Sequence, residues 1–231
     1  GYNGAGPGEL LLAEAEAVRV AQLAGGEAWT GPEPKLAALG DQAASYRLLH
    51  FSCHGRFDPA TPLASSLQIG PDETLNAAEI IQTLSLDCDL VVLSACESGL
   101  SRVRRGDELI GLLRALRYAG ARQVISTLWR VNEVATMLVM ERFYTLIMHG
   151  IDGAEALMQA QLHLRGLTAQ EARQRLAHLM AALGDHPAAR SRCWSEIVRQ
   201  LGDDTDHPFA DPRFWAPFVL FGAIAPQQHA N

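Results

Sequence analysis

From Glu9 to Ala24 apolar residues recur every three or four positions, the spacing of one helix face, and Gly25-Gly26 ends the run. Residues 1–8 are Gly-rich and read as a flexible leader. Pro32 and Pro34 open a second, alanine-rich helix that reaches about Ala44. The period then changes. Leu48-Leu49-His50-Phe51-Ser52-Cys53 is a short, mostly apolar run of the buried-strand type, which His54-Gly55 is expected to stop. A turn-rich stretch follows, with a short strand at Leu67–Ile69. Asn76 then starts a short helix with Glu79 at capping-box spacing. Leu90 to Ala95 is the clearest buried strand. Glu108 to Ala119 reads as a helix closed by Gly120, and Gln123 to Leu128 as a third strand. Glu133 to Met148 and Gly153 to Arg165 are helices. Pro217 to Gly222 is a closing strand. Residues 166–206 read as two further helices ending in an acidic stretch, Asp203-Asp204-Thr205-Asp206, and are taken as a peripheral helical insertion.

Strands that alternate with long helices need crossover connections. The expectation is therefore an α/β chain with a mostly parallel sheet and helices on both faces. No internal repeat is visible, so the chain is not itself a solenoid.

In such a sheet chemistry collects beyond the carboxyl ends of the strands. Those ends carry His54-Gly55 after the first strand, Cys96 after the second, and Trp129 followed by Asn132 after the third. If the first two strands are neighbours, an imidazole and a thiol share one rim. That is what a cysteine nucleophile needs: a base that favours the thiolate and then protonates the leaving amine. Gly55 suits an oxyanion donor because a residue without Cβ lets a carbonyl approach its backbone N–H, and the Cys96 N–H is a second donor. Each residue also has a plain structural reading, the thiol as a small buried hydrophobe and the imidazole as a satisfied polar group. Cys53 precedes His54, so strand alternation sends it to the opposite face and into the core. Cys88 precedes a strand and Cys193 lies in the insertion.

Composition then narrows the class. The chain has 231 residues, the size of one large α/β domain or two small ones, and a net charge of −7. An acidic chain argues against direct nucleic-acid binding. No apolar run approaches a membrane span. Four cysteines without a CxxC pair exclude a zinc knuckle or thioredoxin motif, and Cys53, His54 and Cys96 lack paired metal-ligand spacing. No cofactor is required, and a reducing, cytoplasmic compartment is the expectation. The cations are 18 arginines and one lysine, Lys35, a bias of GC-rich bacterial genomes. The chain starts at Gly1 without Met and reads as part of a longer protein.

The string LLHFSCHGRFD, then LVVLSACESGL with Cys96 42 residues after His54, then RGDELIGLLRALRYAGARQVISTLWRVNE, RFYTLI and FWAPFVLFG, resembles the CHAT family. These are caspase-like cysteine peptidases related to separase and often fused to tetratricopeptide repeats. The resemblance covers nearly the whole chain outside residues 166–206. It implies a caspase-like sheet over residues 9–231 and proteolysis by a His/Cys dyad, His54 and Cys96. It also implies a protein substrate and an upstream repeat domain that senses a partner such as a CRISPR effector or another defence component. Asp107 and Glu108 match the family's acidic position and read either as a pocket for a basic side chain or as acids in the first turn of a helix. Arg102, Arg104 and Arg105 read either as a pocket for an acidic side chain or as a solvated charge run. Trp129 is either a groove wall or a core residue. Asn132-Glu133 departs from the family's usual acidic pair. The alternative to a peptidase is a non-proteolytic interaction or sensing module on the same fold.

Overall fold

The computed structural model describes residues 1–2, 10, 12–33, 35–58, 60–97, 110–182 and 206–222, with residues 95–97, 110 and 182 described at the level of the backbone. One six-stranded sheet organises them, in the order β3-β2-β1-β4-β5-β6. The strands are β1 (Leu48–Arg56), β2 (Ser66–Gln68), β3 (Thr74–Asn76), β4 (Leu90–Glu97), β5 (Gln123–Thr127) and β6 (Phe218–Phe221). β1, β4 and β5 run parallel and form the centre. The β2–β3 hairpin and β6 close the two edges antiparallel.

Helices cover both faces. On one face α1 (Ala13–Ala24), α5 (Glu133–Met148) and α6 (Gly153–Gly166) pack with Leu90, Val92 and Ile125. On the other, α3 (Ala77–Thr83) and α4 (Ile110–Ala119) meet Phe51, Cys53, Val91, Leu93 and Val124. Successive strand residues alternate between these two cores, as the pleat requires. Burying a large aliphatic or aromatic side chain in either contributes about 1.5–3 kcal/mol.

Local signals start and stop the helices. The side chain of Asn76 accepts from the Glu79 N–H at 2.9 Å and the Glu79 carboxylate accepts from the Asn76 N–H at 2.8 Å, which completes the capping box. Asn132 caps α5 by accepting from the Ala135 N–H at 3.0 Å, and α1 ends at Gly25 in the left-handed conformation. The short α2 (Leu36–Gln42) has a cap from far along the chain. The Glu73 carboxylate accepts from the Lys35 and Leu36 N–H groups at 2.6 and 3.2 Å, where a negative charge suits a helix start. Lys35 itself is 8% exposed, and its ammonium donates to the carbonyls of Gly31 and Glu33 at 2.6 and 2.8 Å.

Two features depart from the expected boundaries. β1 does not stop at His54-Gly55 but runs on through Arg56. The reason is the β2–β3 hairpin, which supplies ladder partners Gln68, Leu67 and Ser66 to His54, Gly55 and Arg56. Within residues 166–206, α7 (Ala169–Ala182) packs on α1 and α5 rather than on the sheet. It places Ala172, Leu176, Leu179 and Met180 in the first core. The second helix of that stretch, Cys193 and Asp203 to Thr205 lie outside the described residues, as does most of the Gly-rich leader. The final short helix, α8 (Pro212–Trp215), and β6 are tied to α6 by Gln161, whose amide donates to the carbonyls of Trp215 and Phe218 at 2.8 and 2.9 Å. Among the described residues no helix is long and apolar enough to cross a membrane.

Candidate functional site

β1 and β4 are adjacent and parallel, and their register pairs His54 with Cys96 and Gly55 with Glu97. Neighbouring strands lie about 4.8 Å apart, so the two proposed catalytic residues occupy facing backbone positions near the carboxyl ends of their strands. His54 is half-buried. It stands on the same face of β1 as Ser52 and His50, because residues two apart share a face. Ser52 pairs with Ser94 two residues below the dyad, on the same face, and both are buried. Gly55 is buried within the strand, flanked by Leu67 and Glu97, and holds no turn.

The decoy thiols separate from the dyad. Cys53 is 2% exposed and lies in the α3/α4 core, as alternation requires. Cys88 is fully buried, and its Sγ–H donates to the carbonyls of Leu90 and Arg47 at 3.0 and 3.3 Å. Burial pushes the Cys88 thiol up, which leaves less thiolate at neutral pH. We expect a thiol reagent at pH 7 to modify at most two of the four cysteines in the native chain and all four after denaturation. Mass spectrometry of the labelled peptides checks this. Modification of Cys53 or Cys88 in the native state, at rates within about tenfold of the denatured one, would show that these cores open.

Trp129 lies two residues past β5 on the carboxyl side of the sheet. It is 41% exposed and its indole N–H donates to the Arg213 carbonyl at 3.1 Å, so it is not a core residue. Asn132 uses its side-chain oxygen as the cap of α5. The Glu133 carboxylate accepts from the Leu12 N–H at 2.9 Å, pinning the entry to α1. Arg102, Arg104, Arg105, Asp107 and Glu108 lie outside the described residues.

Sequence reasoning passed over a buried polar cluster on the dyad's own face. His50 Nε2 lies 2.8 Å from Glu16 Oε1 and its Nδ1 lies 3.0 Å from the Tyr144 hydroxyl. Glu16 and His50 have side chains 4% and 5% exposed, and Tyr144 is fully buried. Burial, reinforced by the Glu16 charge, holds the Tyr144 phenol well above its ordinary value. The sequence signals were faint: an acid on the apolar stripe of α1, and two histidines four apart on one strand, which share a face.

The cavity of about 380 Å³ does not mark the dyad. It follows the open edge of β1 from Leu48 to Cys53, between α1 and the segment holding Leu39 and Tyr46. The chain's own start enters it, with the Tyr2 N–H donating to the Ser52 carbonyl at 2.9 Å.

A stretch of 86 residues, 37% of the chain, is 35% identical to tetratricopeptide repeat protein 28 of Mus musculus, and equally to that of Homo sapiens. It spans 3% of the length of those relatives. The family described as the CHAT domain matches residues 3–223. With a parallel sheet core, helices on both faces and that match over almost its full length, the chain belongs to the CHAT-domain family, a family of caspase-like peptidases.

Proposed function

We propose that this CHAT domain is a cysteine endopeptidase that cuts a protein partner. The observation that carries the reading is the β1–β4 register, with His54 opposite Cys96. In the proposed mechanism His54 takes the thiol proton and Cys96 Sγ bonds to the substrate carbonyl carbon. The backbone N–H groups of Gly55 and Cys96 hold the oxyanion. The amine leaves with the proton from His54, and water, deprotonated by His54, hydrolyses the thioester. Trp129 and Asn132, with Asp107 and Glu108, are the proposed substrate-binding residues. Trp129 has the exposure for it. The chemistry needs no cofactor or metal.

The likeness to tetratricopeptide repeat proteins supports a repeat domain as the regulator. On this reading the protein works in the bacterial cytoplasm, in defence or signalling, and the repeats relay the presence of a defence effector.

The test is to map new protein N-termini after incubating the full-length, activated protein with a cell extract. New termini at a restricted sequence motif are expected, and they should vanish when the protein is first alkylated at Cys96. The same termini with and without alkylation would sink the peptidase reading. No termini at all would favour a non-proteolytic interaction module.

A further inference from the structure

A polar column runs along one face of β1, beneath the dyad. Tyr144, His50 and Glu16 form its buried base. Above them the Ser52–Ser94 rung borders a cavity of about 20 Å³, whose other polar walls are Glu16, Glu133 and Thr136. That is room for one water with several polar partners. The His54–Cys96 rung comes next, two residues or about 6.6 Å further along the strands.

A carboxylate taken this far out of water is costly even when paired, so the cluster is an expensive way to fill a core. Its position gives the cost a use. Glu16 touches His50 on one side and lines the Ser52–Ser94 cavity on the other, in surroundings whose low polarizability strengthens electrostatic effects.

We propose that Glu16, held in place by His50 and Tyr144, is a positioning residue for the dyad: its carboxylate, acting across the Ser52–Ser94 rung, stabilises the protonated form of His54. This deepens the peptidase reading and rests on it. Protonated His54 is the form that stabilises a thiolate and delivers a proton to the leaving amine. Among the described residues, the titratable groups of this column are Glu16 from α1, Glu133 and Tyr144 from α5 and His50 on β1, with Cys96 in backbone register with His54 on β4. Its partner on the β2 side, Gln68, carries no charge.

The experiment is a nuclear magnetic resonance titration of the His54 imidazole in a Cys96→Ala background, which removes coupling to the thiol. Glu16→Gln keeps shape and deletes charge. It should lower the His54 midpoint by about one unit, since losing an opposite charge disfavours the imidazolium. Tyr144→Phe loosens the hold on His50 and keeps the charge, so a smaller shift of the same sign is expected. It also stands in if Glu16→Gln does not fold. A purely structural cluster would change the unfolding midpoint and leave the His54 titration where it was. An unmoved His54 in a folded Glu16→Gln protein overturns the proposal, and so does a shift produced by Glu133→Gln alone. Because the titration needs no substrate, its failure is distinguishable from a failure to find cleavage.

Discussion

Replacing Cys96 by alanine should abolish peptide cleavage and leave the fold unchanged. The substitution deletes a single sulfur atom at a strand position whose backbone ladder it does not touch. Without the sulfur there is no covalent intermediate, and water attack on an amide held in place is slower by many orders of magnitude. His54→Ala removes the base and the leaving-group acid together, for an expected loss of roughly 10²–10⁴-fold. Cys53→Ala is the control. Its side chain belongs to the opposite core, so a stability loss of roughly 1 kcal/mol with an unchanged turnover number is expected. Rates on the genuine substrate, measured with activated protein, decide the matter. Comparable cleavage by the Cys96→Ala protein would remove this dyad from the mechanism.

Gly120→Ala should be strongly destabilising. Gly120 ends α4 with φ of 119°, a region L side chains rarely adopt, and a Cβ there would overlap the Leu86 carbonyl oxygen. Strain and overlap together should cost roughly 2–4 kcal/mol. Gly40, in α2, is the contrast. It is exposed, its backbone is helical and a Cβ meets nothing within 4 Å. Gly40→Ala should therefore stabilise by about 0.5–1 kcal/mol. Urea unfolding of the two variants beside the parent tests both. A Gly120→Ala midpoint equal to the parent's would mean that the Leu86 carbonyl gives way freely.

The elements with short-range causes were legible from sequence. The capping box at Asn76, the span of α5 from Glu133 to Met148 and the buried run of β4 all follow from residues within a few positions of each other. The opposite burial of Cys53 followed from strand alternation alone. The end of β1 did not, because its last rungs depend on Ser66, Leu67 and Gln68, which reach it only after a hairpin forms. His54 and Cys96 became candidates because strand ends are where an α/β sheet puts its chemistry, and the parallel register sets them opposite each other. The Glu16–His50–Tyr144 cluster was not, since its partners are 34 and 94 positions apart and nothing local ties them together.

Lys35 is the chain's one lysine, and the loop carbonyls that hold its ammonium also screen it. Acylating esters, aldehyde fixatives and amine cross-linkers reach a side chain only through an accessible lysine amine, and the chain's other strongly basic side chains are arginines. Coupling such a protein to a surface or a dye through lysine should therefore fail under native conditions. The same property makes Lys35 a built-in reporter: acetylation there, counted by mass against time, measures how often the α1–α2 connection opens, with no background from other lysines.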